Sequence, residues 1–412
     1  MEISNNRKKC IFIIVESDLR WQFFKRFHLS LSKLGYEVVY ITTCLTVWVK
    51  GKLQGYNVKI YDKKYESHGD YKYIKKEILE VEAGNISVDD AKMLLTQWSM
   101  FMDTLKSEYR PQICFIYNGT SIFTYAAKIW AKKLNIKTLF FELANISGKM
   151  FIDPCGTNAK SKLYNDIDLL NEYYVDTSEL SRWLDDYKKN KNSVKQALVS
   201  RKLINLFIYA INKLWFISYV NERSCFFYNE LMQFINSFDC FNHSKIEAEY
   251  ETTDINLLTP YYLFPMQVSV DSQVLLNSDI SLKDAVEYVK KEAKNDDVKL
   301  IIKLHPAERD KNIRKYLDTI RDENIIIVNQ EYRLNELLEN AKKVITINST
   351  VGLEAILYDK DVEFLGKSVY KYFLHNKELL SSYIFGYLVS IDYFSNDSID
   401  VDIVKKCLSR AG

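Results

Sequence analysis

Along most of the chain, short apolar runs alternate with stretches whose apolar residues recur every three or four positions. That pattern predicts strands alternating with amphipathic helices. Residues 10–15 form an apolar strand run, and residues 17–34 carry Leu19, Phe23, Phe24, Phe27, Leu31 and Leu34 at helical spacing. Gly35 ends that helix and residues 37–41 supply the next strand, a β-α-β opening. Residues 74–109 read as mostly helical, and 113–117 as a buried strand ending at Asn118-Gly119-Thr120. An amphipathic helix (121–134) and a strand (137–141) follow. A second alternation begins near Asp254. Its strands fall at 261–264, 299–304, 325–328, 343–347 and 362–365, and its helices at 282–293, 314–321, 334–341 and from Val351. The expected class is α/β, with two Rossmann-like domains facing across a cleft and a helical insertion between them.

The insertion, 169–238, reads as long and helical. Within it, 203–220 is apolar but broken by Asn205, Asn212, Lys213 and Ser218, which a membrane-spanning helix tolerates poorly. Two readings stand: a buried helix between domains, or a helix lying on a membrane surface. The second draws on the basic stretch 188–202 and on Phe207, Tyr209, Trp215 and Phe216 as aromatic anchors.

With 412 residues, 47% of them hydrophobic, the chain has material for two cores. A net charge of +2 creates no strong field toward nucleic acid, and none is expected as a partner. The seven cysteines form no CxxC pair and no metal-ligand spacing, so they read as free thiols in a reducing compartment. Residues 1–9 are polar and basic, and the apolar run at 10–15 is too short for a signal peptide; a cytoplasmic protein is expected. No GxGxxG follows the first strand and no GxxxxGK[ST] occurs, so dinucleotide oxidoreductase and P-loop chemistry lack support.

Four polar constellations remain. The stretch 140–161 presents Glu142, Asn145, Asp153 and Asn158, with a bend at Pro154, and reads as one loop at the carboxyl edge of a parallel sheet. Its two carboxylates suit the paired roles of glycosyl chemistry, against the alternatives of a turn at Asp153-Pro154 and a salt-bridge or capping role for Glu142. Lys303-Leu304-His305-Pro306 leaves a strand with two groups able to meet a phosphate. Asn348-Ser349-Thr350 stands at a strand-to-helix junction, where the helix dipole favours an anion and simple N-capping is the alternative. Gln267 with Asp271, Ser272 and Gln273 follows another strand, suited either to base or sugar recognition or to a polar turn.

These patches, in this order, resemble the bacterial capsule polysaccharide synthesis proteins, the retaining β-Kdo glycosyltransferases that build a Kdo linker on a phospholipid. The likeness runs from Trp21-Gln22-Phe23-Phe24-Lys25-Arg26 through Phe141-Glu142, Ile152-Asp153-Pro154 and Gly156-Thr157-Asn158-Ala159 to Phe264-Pro265-Met266-Gln267, Lys303-Leu304-His305-Pro306 and Asn348-Ser349-Thr350-Val351-Gly352-Leu353-Glu354. Ile146-Ser147-Gly148 departs from the commoner Leu-Pro-Gly, which leaves room for a different donor sugar.

The resemblance implies a GT-B fold and transfer of Kdo from CMP-Kdo to a lipid-linked, phosphatidylglycerol-type acceptor, with no metal or other cofactor. The alternative is transfer of another CMP-ulosonate, such as a sialic acid, or of a nucleotide-hexose. It implies an acceptor and catalytic domain over 1–245 (including the helical segment 165–240), a nucleotide-sugar domain over 246–390 and a tail over 391–412. Asp153 is expected as nucleophile and Glu142 as acid/base, an order that can be reversed, with His305 assisting the leaving phosphate. Lys303, His305, Pro306, Asn348, Ser349, Thr350, Gln267, Asp271 and Gln273 are expected on the donor, and Asn118, Asn145 and Asn158 on the sugars. The expected place of action is the cytoplasmic face of the inner membrane.

Overall fold

A computed structural model describes residues 9–61, 74–190, 257–305, 310–329 and 332–411, together with Tyr71, Ile208, Ile211, Asn212, Trp215 and Glu308. The stretch 203–220, apart from those four isolated positions, lies outside the described residues, as does Pro306. The chain forms two compact units. One contains the chain up to Asn165 and again from Ile384; residues 166–190 belong with the second.

The first unit is built on β1 (Lys9–Val15), β2 (Tyr36–Thr42), β3 (Val58–Ile60), β4 (Pro111–Tyr117), β5 (Lys137–Leu143) and β6 (Lys149–Asp153). Strands β1 to β5 are parallel, and β6 runs antiparallel to β5. β1 is central and apolar on both faces, as a strand covered on both sides requires. Ile11, Ile13 and Val15 pack with Trp21, Phe23, Phe24 and Phe27, while Cys10, Phe12 and Ile14 face Leu94, Trp98 and Trp130. The helices begin at side-chain caps: Ser17 accepts from Arg20 N, Ser87 from Asp90 N and Ser121 from Thr124 N.

In the second unit, β7 (Tyr261–Pro265), β8 (Lys299–Lys303), β9 (Ile325–Val328), β10 (Lys343–Thr346) and β11 (Asp361–Phe364) form an all-parallel sheet in the order β11-β10-β7-β8-β9. The helix Thr350–Leu357 lies so close to this sheet that a Cβ on Gly352 would stand 2.3 Å from the Phe364 ring. Both units are Rossmann-like, and both switch chain direction beside their first strand: between β1 and β4 in one, between β7 and β10 in the other.

Three expectations change. Residues 140–161 are not one loop. The chain makes a hairpin after β5 and returns as β6, with Asp153 opposite Phe140 rather than at the carboxyl edge. Residues 391–412 are not a tail. β12 (Val389–Ser390) pairs with β6, and the helix Val401–Ser409 buries Val404 and Cys407 in the first core. Residues 166–190 leave the first unit, because Val175 N donates to Ser382 Oγ at 3.3 Å and Ser381 Oγ to Asp176 O at 2.9 Å, both within the second. Among the described residues no helix is long and apolar enough to cross a membrane.

Candidate functional site

Open α/β sheets bind ligands at the carboxyl ends of strands beside the switch point. In the first unit those ends carry Glu16, which follows β1, Asn118 and Gly119, which follow β4, and Glu142 near the end of β5. Asn118 takes a left-handed conformation (φ 59°), which asparagine tolerates, and Gly119 follows at φ 87°. A side chain at Gly119 would in addition meet the Phe140 ring at 2.7 Å, so glycine is required there. This sharp turn aims Asn118 Nδ2 at Glu142 Oε1 (3.2 Å). Asn158, also left-handed (φ 51°), donates through Nδ2 to Glu142 Oε2 at 2.8 Å. The buried Thr157 hydroxyl donates toward Asn118 Oδ1 and O, each at 3.2 Å. Glu142 is thus a partly buried carboxylate fixed by one amide on each oxygen. Asn145 lies in the hairpin loop after β5.

Asp153 is a different case. It is 0% exposed. Its Oδ1 accepts from the backbone N–H of Cys155 (2.8 Å), Gly156 (3.2 Å) and Lys162 (2.9 Å). Its Oδ2 accepts from Leu163 N (3.2 Å) and from the Tyr387 hydroxyl (2.8 Å). Five donors use up both oxygens, and a carboxylate so enclosed cannot reach an anomeric carbon. Asp153 organises the 153–163 loop; the expected nucleophile is a structural anchor.

Three further groups at this switch point escape a sequence reading. Arg20 lies 3.1 Å over the Tyr117 ring and donates to the Tyr393 hydroxyl. Glu16 accepts from the Ser121 hydroxyl, which contacts Thr124 Oγ1 at 2.8 Å. Burial raises the Glu16 carboxyl to about 7, with the Ser121 hydrogen bond and Arg20 pulling it down and Glu80 pushing it up. The available signal was position: Glu16 is the first residue beyond the central strand.

In the second unit, the switch point is spanned by an amide pair. Gln267 Nε2 donates to Asn348 Oδ1 at 2.9 Å, and Asn348 N donates to Gln267 Oε1 at 3.1 Å. Asn348 Nδ2 also reaches Gln273 O (2.7 Å) and Asn277 O (3.2 Å). Gln267 and Asn348 are 7% and 5% exposed, so these expected donor contacts serve as struts between two loops. Asp271 caps the helix Ser272–Asn277 through Gln273 N (2.7 Å), and the Gln273 side chain accepts from Asn277 Nδ2 at 3.2 Å. Ser349 caps the next helix through Val351 N (3.1 Å), leaving Thr350 exposed on its first turn.

Lys303 and His305 end β8 beside this pair. Lys303 is 9% exposed and reaches Asn329 O at 3.3 Å; burial lowers its ammonium from 10.5 to about 8. His305 is exposed at the strand end; desolvation lowers its pKa, opposed by the Asp271 and Glu308 carboxylates and reinforced by Lys303. The buried Glu308 was not anticipated. It accepts from Ser269 N and Asp310 N, each at 2.7 Å, and so ties the loop after β7 to the loop after β8. Lys303, His305 and the exposed first turn at Thr350 form a cationic, donor-rich edge suited to a phosphate.

A cavity of about 1060 Å³ in the first unit lies at the amino edge of its sheet, lined by Lys9, Tyr36, Arg110, Pro111 and Lys137 among others.

Two Rossmann-like units with polar switch points define a GT-B-type chain. Residues 151–373, more than half of the chain, match the profile of the family described as capsule polysaccharide biosynthesis protein, and the chain belongs to that family. Over 124 residues it is 33% identical to the capsule polysaccharide export protein KpsS of Escherichia coli, covering 27% of this chain and 31% of that protein. Over 122 residues it is 35% identical to Protein FixF of Sinorhizobium fredii (strain NBRC 101917 / NGR234), covering 29% of each. The matched stretches thus span about a third of these curated relatives. A solved structure of Thermosulfurimonas dismutans KpsC, a beta Kdo 2,7 transferase, aligns over 97% of this chain and 99% of that one, at 12% identity and a TM-score of 0.48.

Proposed function

We propose that the protein is a retaining glycosyltransferase that moves Kdo from CMP-Kdo to a lipid-linked, phosphatidylglycerol-type acceptor in capsule polysaccharide synthesis, working at the cytoplasmic face of the inner membrane. The observation that carries this reading is the phosphate-suited edge of Lys303, His305 and Thr350 in a member of a capsule biosynthesis family. The leaving group of a CMP donor is a phosphate monoester, whose charge the Lys303 ammonium can offset and to which His305 can donate a hydrogen bond; no metal is proposed.

Glu142 is proposed as the nucleophile in place of Asp153. It attacks the anomeric carbon, the bond to the CMP phosphate oxygen breaks, and CMP leaves with the electron pair. The acceptor oxygen then displaces Glu142 from the opposite face, and two inversions retain configuration. Amide donors from Asn118 and Asn158 hold Glu142 in one orientation for the attack.

A specific observation favours keeping a second donor class. Gln267 and Asn348, the side chains expected to recognise the donor, are engaged with each other. The second reading is therefore transfer of another CMP-ulosonate or of a nucleotide-hexose by the same residues. The test is turnover of the purified protein with a lipid acceptor and a panel of sugar nucleotides, followed by nucleotide release and product mass. A gain of one Kdo supports the first reading, activity only with another donor supports the second, and inactivity with all of them overturns both.

A further inference from the structure

The nucleophile accounts for the sugar but not for the acceptor's proton. For every bond formed from an acceptor hydroxyl to the anomeric carbon, one proton must leave the oxygen. Asp153 cannot take it, being enclosed by five donors. We infer that Glu16, at the switch point of the first unit, is the base that accepts this proton.

Three placements converge on it. Glu16 is the residue immediately beyond β1, the strand beside which the sheet changes direction. Its neighbour across the switch point, β4, ends in Asn118, which holds Glu142. Arg20, whose charge acts on Glu16, lies 3.1 Å over the ring of Tyr117, the last residue of β4 before Asn118. Unlike Asp153, Glu16 is only partly buried and receives one side-chain donor among the described contacts, the Ser121 hydroxyl. One oxygen is positioned by that serine while the other stays available.

The charged and titratable groups around it are Arg20 and Asp18 on the helix Asp18–Phe24 that follows it, Glu80 on the helix Leu79–Glu82, and Cys44 just after β2. With a carboxyl near 7, a large fraction is ionised at neutral pH and able to accept a proton, yet basic enough to do so usefully. In the step, the acceptor O–H bond breaks and its proton moves to Glu16. The acceptor oxygen bonds to the anomeric carbon, and the bond from that carbon to Glu142 breaks with its electrons returning to the carboxylate.

This inference rests on the transferase reading, and the experiment separates the two. In the full-length protein, wild-type kcat/KM for transfer should rise with pH through about 7 and level above it. Glu16→Gln should lower transfer by about 10²–10⁴-fold and abolish that limb. Formation of the sugar–enzyme bond needs no base on the acceptor side, so the same variant should still release about one equivalent of nucleotide in a burst. Ser121→Ala removes a hydrogen bond that lowers the Glu16 pKa, so its limb should move to higher pH; this variant keeps the idea falsifiable if Glu16→Gln folds poorly. An intact limb and near-normal rate in Glu16→Gln, with an unmoved limb in Ser121→Ala, would overturn the assignment and leave the transferase reading standing. No nucleotide release by wild type with any donor overturns both.

Discussion

The phenolic hydroxyl of Tyr387 donates to Asp153 Oδ2 at 2.8 Å, joining the chain that re-enters the first unit to the loop after β6. Nearby, Arg410 Nη1 donates to Ile152 O at 2.8 Å and its guanidinium lies 4.6 Å from the Tyr387 ring. Asp153→Asn places an amide where Leu163 N–H already points, setting donor against donor. The expected cost is about 3 kcal/mol of stability, typical of lost hydrogen bonds to a buried charged group. Tyr387→Phe should cost about 1–2 kcal/mol, and a double-mutant cycle in urea should show the two coupled. If Asp153→Asn melted like wild type while losing all transfer, the catalytic role would return to Asp153.

If Lys303 meets the donor phosphate as proposed, nucleotide binding should depend on pH. Its folded pKa, about 8, lies below its ordinary 10.5, so the unfolded chain binds more protons between those values. Burial of the ammonium therefore opposes folding below pH 8, and that cost is relieved as pH rises from about 8 to 10.5. Phosphate binding needs the charged form, so the trend for CMP is opposite. Affinity should fall as pH rises past 8, and binding at pH 8 should take up about half a proton. Calorimetry in buffers of differing ionisation heat measures this uptake. Lys303→Arg should hold its affinity to higher pH; an unchanged pH profile in that variant would remove Lys303 from the phosphate site.

Glu142 and its asparagines should separate by size of effect. Glu142→Gln should abolish transfer while leaving CMP affinity unchanged. Asn158→Ala removes one donor to a carboxylate, worth about 1.5–3 kcal/mol, or roughly tenfold to a hundredfold in kcat. Asn348→Ala, in contrast, should destabilise the second unit by about 2 kcal/mol, because Gln267 Nε2 loses its buried acceptor and the Gln273 and Asn277 carbonyls lose a donor, while the backbone N–H at 348 still reaches Gln267 Oε1. A collapse of donor affinity in Asn348→Ala without loss of stability would restore it as a ligand contact.

Which of these features were legible in the sequence follows from their physics. Strands apolar on both faces, such as β1 and β9, announce themselves as continuous runs, and their bounds fall within a residue of expectation. β6 did not, because a hairpin rich in polar residues and glycine precedes it and its apolar core is only Met150, Phe151 and Ile152. Asn118, Glu142, Lys303 and Asn348 were expected at the carboxyl ends of strands and lie there, since such groups have little apolar surface to pack. Their partners were hidden: Gln267 and Asn348 meet across 81 positions, and Asp153 and Tyr387 across 234. Glu16 looked like an ordinary charge after a strand until the sheet order placed that strand at the centre.

The final stretch of chain gives the sharpest test of the domain division. Ile391, Tyr393 and Ile399 follow neither a strand nor a helix period, yet all three are buried against Phe23, Phe24 and Phe27 in the first core. Arg26 fixes them by donating from Nε to Asp397 O and from Nη1 to Asp392 O, both at 2.6 Å, and Ser30 Oγ donates to Ile399 O at 2.6 Å. A dispensable tail could be removed at no cost. Here, truncation after Ser390 would uncover that apolar face and strand the 7%-exposed Arg26 guanidinium without its carbonyls. The truncated protein should be insoluble, or should lose near-ultraviolet circular dichroism, while Arg26→Ala in the full chain should cost about 3 kcal/mol. A soluble truncated protein with wild-type denaturation would show that the first unit closes without these residues.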